Sequence, residues 1–315
     1  MQDPPASRPV PATLIAEPSL SIFQQPWWLD AAADRNWGEA VVRDNAIVVG
    51  RLPYPIGTRF GLPVSTLTRL IPTLGPAIQT MPGKAATAFK RRLEITHALI
   101  DQLPQFAFFA QTFDHRITDA AAFVHRGFVA TAADCFRIPQ GRTPQDVWCS
   151  MQAARRQQIV DAASEFRIEP VDDVDELFRL DRRFAHGNDA VQRVLQLFQG
   201  ISERDAGIIL GARDRRGTLV AALVVVWESV NAHRLLAVRR ADAPESAESM
   251  LLWEAMRRVL PRGLAFDFGM VESLASLRYL AGFGDYLTPR IGVRRVTKEF
   301  RLRKAALSMF GTWAG

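Results

Sequence analysis

Apolar periodicity begins abruptly at Ser21 with the segment SIFQQPWWLDAAA, where Pro26 is placed to open a helix whose first turns hold Trp27, Trp28 and Leu29. Apolar residues return around Ala46 to Leu52, and a Gly- and Pro-rich passage from Pro53 to Gly83 follows. From Ala85 to Gln102 the spacing is helical, with Phe89, Leu93, Ile95, Leu99 and Ile100 roughly on one face. The run FAFFAQTF at 106 to 113 reads as a strand, and a short helix ending at Gly127 leads to a second strand, Phe128 to Ile138. The first half therefore mixes α and β.

The second half opens with a helix from Pro144 to Ala163, a strand from Phe166 to Val171, and helices over Val174 to Ala185 and Ala190 to Ser202. Three strands come next, Gly207 to Arg213, Leu219 to Trp227 and Ala232 to Val238, with polar turns at Asp214 to Gly217 and Glu228 to Asn231. A long amphipathic helix, Pro244 to Val259, stops at Pro261 and Gly263; the strand LAFDF, a helix and a final strand complete the series.

Composition narrows the class. With 315 residues, 48% hydrophobic and 23% charged, the chain is of globular type and long enough for two domains. The first twenty residues hold five prolines and no apolar block of signal-peptide length, which predicts a loose arm. The longest apolar run, Leu219 to Trp227, falls far short of the roughly 20 residues of a membrane helix. Cys135 and Cys149 lack the spacing of a disulfide framework or a zinc site, so a reducing cytoplasm is the expected compartment and no metal is expected. A net charge of +6 suits partners that carry phosphates as well as a plain solvated surface. Positive residues crowd the C-terminus, at Arg290, Arg294, Arg295, Lys298, Arg301, Arg303 and Lys304.

Three stretches resemble the FemAB-like branch of the GNAT superfamily of acyltransferases, whose members carry two GNAT-like domains in tandem. They are SIFQQPWWLDAA near the start, the run around Trp148, Arg155, Arg156 and Ile159, and FDFGMVESLASLRYLAGFGDYLTPR from Phe266 to Arg290. The order of helices and strands in the second half is also the GNAT order. The resemblance implies an α+β fold of two tandem GNAT-like domains, each a mixed, mostly antiparallel sheet flanked by helices. Its expected divisions are an arm at 1–20, domains at 21–143 and 144–300, and a basic tail at 301–315. It further implies transfer of an acyl or aminoacyl group from acyl-CoA or aminoacyl-tRNA to an amine of a sugar, peptide or cell-envelope precursor. No permanently bound cofactor is implied; tRNA and a peripheral membrane contact stand open as partners. A protein of this fold that binds such a precursor without chemistry is the alternative.

Acyl transfer to an amine requires a group that takes a proton and donors for the developing oxyanion, and it needs no covalent nucleophile. The chain accordingly lacks GxSxG, HExxH and a Walker motif. Asp267, an acid at the end of an apolar strand, is the first catalytic candidate, with partial burial expected to raise its pKa; pairing with an arginine is the structural alternative. Glu272, placed in the first turn of the next helix, is the second. The family's turn after this strand is commonly Glu-Gly-Ser, and here it reads Gly269-Met270-Val271. Substrate- or cofactor-binding candidates are the pair Arg155 and Arg156, which as neighbouring guanidinium groups suit a phosphate or carboxylate, together with Arg239, Arg240, Tyr279 and His186. The stretch from Arg239 to Glu248 has no glycine to cradle a pyrophosphate, and its acids Asp242, Glu245 and Glu248 read as helix-stabilising.

Overall fold

The computed structural model describes residues 18–79, 84–180 and 188–311. In the first half, helix α1 (Pro26–Ala32) is followed by strands β1 (Trp37–Asp44), β2 (Ile47–Pro55), β3 (Gly57–Arg59), β4 (Leu62–Thr66) and β5 (Ala77–Ile78). Helix α2 (Ala85–Asp101), β6 (Phe108–Thr112), α3 (Ala121–His125) and β7 (Val129–Ile138) complete it. The second half runs α4 (Pro144–Ser150), α5 (Ala153–Glu165), β8 (Arg167–Pro170), α6 (Asp175–Leu180), α7 (Asn188–Glu203), β9 (Gly207–Arg213), β10 (Leu219–Trp227) and β11 (Asn231–Arg239). It ends with α8 (Glu245–Val259), β12 (Ala265–Met270), α9 (Leu274–Ala281), β13 (Leu287–Val296) and α10 (Lys298–Gly311).

Local chemistry accounts for these boundaries. Pro26 sits at the start of α1, where its missing N–H costs nothing. Reciprocal bonds between Thr143 and Asp146 cap α4, and Ser273 with Ser276 caps α9 in the same way. The expected single helix from Pro144 to Ala163 is two helices, because Met151 and Gln152 are extended. Gln152 donates its N–H to the Gly282 carbonyl at 3.0 Å, which fastens the break to the end of α9. The expected tail at 301–315 is, over its described part, a continuation of α10.

The expected α+β class, with mixed and mostly antiparallel sheets, holds. The strands of both halves run together in a ten-stranded sheet of order β3-β4-β6-β13-β7-β12-β11-β10-β9-β8, beside a separate sheet β1-β2-β5. At its centre the halves exchange strands. Strand β13 from the second half lies between β6 and β7, and β7 from the first half lies between β13 and β12. Both central pairings are antiparallel, with Ile291 opposite Ala132 and Phe266 opposite Ile138. Each half's last strand thus completes the sheet of the other.

Strand β10 is apolar along its whole length because both of its faces are covered. Leu223 and Val225 join the core beneath α8, whereas Ala222, Val224 and Val226 join the one beneath α1 and α7. A further core packs α2 and α3 on Phe109, Phe113 and Phe128. Strands β11 and β12 are parallel but pair only from Asn231–Ala265 to His233–Asp267. Beyond that point β11 continues to Arg239 against β10 alone. The sheet therefore opens between β11 and β12.

Candidate active site

At this opening Arg234 bridges the diverging strands, donating its Nε–H to the Phe268 carbonyl at 2.8 Å. Its Nη1 also stands 3.6 Å from Oε1 of Glu248, in the first turn of α8. From α5, the buried Arg155 reaches the same place. It donates to the Ser249 hydroxyl at 2.5 Å and to the Tyr279 carbonyl at 2.9 Å, and it pairs with Glu245 at 3.3 Å. The guanidinium carbon lies 4.3 Å from the Tyr279 ring centre and 5.0 Å from that of Phe283. Gly282 makes room for it, since a Cβ there would stand 2.7 Å from the Arg155 Nε. The Tyr279 hydroxyl is 3.3 Å from that of Ser249.

Two titratable groups are displaced in this setting. Burial pushes the Glu248 carboxyl up, against the opposing pull of Arg234 and Arg239, and Glu245 adds to the rise. Burial likewise raises the Tyr279 phenol, and the negative charge of Glu248 raises it further. A carboxyl and a phenol, both raised in pKa, are thus gathered in one site, where a proton acceptor and a proton donor are available. Beside them, β11 past His233 has no strand on its β12 side among the described residues, although Leu235, Leu236 and Val238 are buried. An unpaired buried strand edge of this kind offers N–H and C=O groups to a ligand.

Asp267 lies on the other side of the sheet. Phe266 and Phe268 face the core beneath α8, so by strand alternation Asp267 points the opposite way. There it pairs with the buried Arg290, stands 3.7 Å from His233 Nδ1, and accepts the Gly269 N–H at 2.8 Å. Burial pushes this carboxyl up, but Arg290, His233 and the Gly269 bond together outweigh it, and its pKa is lowered. The expected rise is corrected: a nearby guanidinium prevails over desolvation. The expected turn at Gly269 and Met270 is strand, with an irregularity opposite Arg137 and Phe136.

The other candidates separate. Glu272 is exposed and precedes the Ser273 cap, so it is outside the first turn of α9. Arg155 and Arg156 do not form a joint clamp: Arg156 donates to the Met151 carbonyl at 2.6 Å and seals the end of α4. Arg239 bonds to the Ala243 carbonyl, and Arg240 pairs with Asp242 at 2.5 Å on the surface. His186 is outside the described residues. Of the expected set, Arg155 and Tyr279 meet. Sequence reasoning passed over Arg234, Glu248 and Ser249; the i, i+3 and i+4 spacing of Glu245, Glu248 and Ser249 was the available signal.

Around Asp267 a charged network joins the halves. Glu228 stands 3.2 Å from His233 Nε2 and accepts from Asn231 at 2.6 Å; Asn231 accepts from Arg137 at 2.7 Å. Arg116 bonds Asp114 at 2.7 Å and approaches Glu228 at 3.5 Å. His115, beside them, has its pKa lowered by burial to about 4, so it is neutral at pH 7.

FemX aligns with a TM-score of 0.59 at 10% identity, over 86% of this chain and 91% of FemX. The chain shares its fold with FemX. A C-terminal domain assigned to a lysylphosphatidylglycerol synthetase of Agrobacterium fabrum aligns at 0.55 and 13% identity over 90% of each chain. A tandem GNAT protein from the clavulanic acid biosynthesis pathway aligns at 0.50 and 12% identity over 83% of each. No protein-family model and no curated protein sequence matches the chain. Among the described residues no helix is long and apolar enough to cross a membrane.

Proposed function

We propose that this FemAB-like chain transfers an acyl or aminoacyl group from a thioester or ester donor to an amine, in the opening between β11 and β12. The observation that carries the reading is the cluster there, in which the buried Arg155 binds Ser249 and stacks on Tyr279 while the neighbouring Glu248 stands 3.6 Å from Arg234. As the amine nitrogen bonds to the donor carbonyl carbon, Glu248 takes the proton the nitrogen loses. When the tetrahedral intermediate collapses, the bond to the leaving sulfur or oxygen breaks and Tyr279 gives that atom a proton. The free edge of β11 supplies N–H groups for acceptor or oxyanion. Arg155 positions Tyr279 by stacking on its ring and binding its carbonyl.

By resemblance the donor is acyl-CoA or aminoacyl-tRNA, and the acceptor an amine of a sugar, peptide or cell-envelope precursor. The proposed division at residues 143 and 144 falls at the Thr143 cap of α4. A second reading, a precursor-binding protein without chemistry, is favoured by the acidic first turn of α8, where Glu245 and Glu248 would repel a phosphate-bearing donor. Incubation with pools of charged tRNA and acyl-CoA, with donor loss followed by mass spectrometry, separates the two. Donor loss that Glu248→Gln and Tyr279→Phe each abolish supports the enzyme, and retention of every donor supports the binder.

A further inference from the structure

Strand β13 leads away from the opening, from Tyr286 in the core beneath α8 to Val296, roughly 30 Å for a strand of this length. At that far end β3, β6, β7, β13 and α10 surround a cavity of about 520 Å³. Its lining includes Arg59, Arg294, Arg295, Arg301 and Lys304, and no carboxylate. None of these five cations has an ion pair among the described residues. Glu299, in the same helix, is bound to Arg303 at 2.6 Å. Like charges gathered without acids repel one another, an arrangement that an anionic ligand relieves.

The apolar part of the site distinguishes among anionic ligands. Phe300 is buried and stacks on the half-buried Phe108 with centroids 5.1 Å apart, so the face that Phe108 turns to Phe300 is closed to a nucleobase. The exposed apolar groups are aliphatic: Val129, in the cavity lining, is 55% exposed, and Leu307 is 52% exposed. Leu307 follows Lys304 by three residues and so shares its helix face. Cations beside exposed aliphatic side chains match a headgroup layer over acyl chains.

We propose that this cavity and the adjoining face of α10 dock on an anionic phospholipid surface. Arg59, Arg294, Arg301 and Lys304 meet lipid phosphates, while Val129 and Leu307 rest at the acyl boundary. The inference stands independently of the acyl-transfer reading. The test is flotation of the full chain with vesicles of phosphatidylcholine alone and of phosphatidylcholine with phosphatidylglycerol, at low and moderate salt. The chain should float with the anionic vesicles only, and less so as salt rises. The double variant Arg294→Ala, Arg301→Ala should weaken partitioning about 25-fold, since each basic group near the surface contributes about five-fold. Both positions are exposed, and an unchanged melting temperature checks that the variant is folded. Leu302→Ser, roughly 140° around the helix from Leu307, should leave partitioning unchanged. Equal binding to neutral vesicles, no binding at low salt, or a double variant matching the parent would overturn the proposal. So would release by inorganic phosphate at matched ionic strength, or an RNA oligonucleotide held by the same two arginines in place of vesicles.

Discussion

The Asp267 carboxylate and the Arg290 guanidinium meet across an intervening strand: β12 carries the acid, β13 the base, and β7 lies between them. Because β7 comes from the first half and its neighbours from the second, this buried pair clasps the exchanged strands where the halves interlock. His233, Glu228, Asn231 and Arg137 extend the clasp sideways. The charges on this side hold the molecule together, and the chemistry proposed here is assigned to the other face.

Removing the acid should therefore affect folding. Asp267→Asn leaves Arg290 buried without its counter-charge, at a cost of about 3–5 kcal/mol, while activity per folded molecule stays close to that of the parent. The sign of the pH effect follows from the lowered pKa of Asp267. A carboxyl depressed in the folded state contributes its stability above its unfolded pKa of about 4 and loses it as pH falls through the folded value. Urea melts from pH 7 to pH 3 should show the parent losing its advantage over the variant at the acid end.

Glu248→Gln should show the reverse pattern. A carboxyl raised in the folded state contributes stability below its unfolded pKa, and that contribution is lost as pH rises through the folded value. At pH 7 the variant should melt no lower than the parent. Donor consumption should nevertheless fall about a hundredfold, the scale of a lost general base. Thermal melts and single-turnover rates on the same preparations check both halves of this expectation.

The two neighbouring arginines should behave differently. Arg155→Lys keeps the charge but loses the planar fork that serves Ser249 and the Tyr279 carbonyl and stacks on the ring. It should lower kcat more than it raises KM, and Tyr279→Phe should then add little to it. Arg156→Ala removes a cap on the Met151 carbonyl. It should cost about 1 kcal/mol of stability and leave turnover unchanged.

The exchange of strands makes a stability prediction at Gly292. A Cβ there would stand 2.8 Å from the Gln111 carbonyl oxygen and from Thr131 Oγ1, so β13 has no room for it between β6 and β7. Gly292→Ala should cost about 1–3 kcal/mol. Since β13 and β7 belong to both halves of the sheet, the loss should appear in one cooperative transition and not in one half alone. Calorimetry reads this directly.

Much of the fold is legible in the chain because its signals are local. The helix from Ala85, the strands at Leu219 and Phe128, and the long helix ending at Pro261 follow from apolar period and from stop residues. The break at Met151 is hidden, since it depends on the distant carbonyl of Gly282. Strand exchange is hidden for the same reason: nothing within 287–296 states which strands it will separate. For the site, Asp267 was conspicuous as an acid in an apolar strand, but the side of the sheet it faces and the presence of Arg290 decide its role. Glu248 was inconspicuous, because an acid in a first helical turn already has a sufficient explanation in the helix dipole.

The most direct test is single-turnover transfer with pools of charged tRNA and acyl-CoA in the presence of amine acceptors. Donor loss and acceptor mass would be followed together for the parent, Glu248→Gln, Tyr279→Phe and Asp267→Asn. The parent should consume a donor and add its acyl group to an amine. The Glu248 and Tyr279 variants should do so at least about a hundredfold more slowly, and folded Asp267→Asn nearly as fast as the parent. Full activity in Glu248→Gln together with loss of activity in folded Asp267→Asn would contradict this assignment, and would place the chemistry on the opposite face of the sheet.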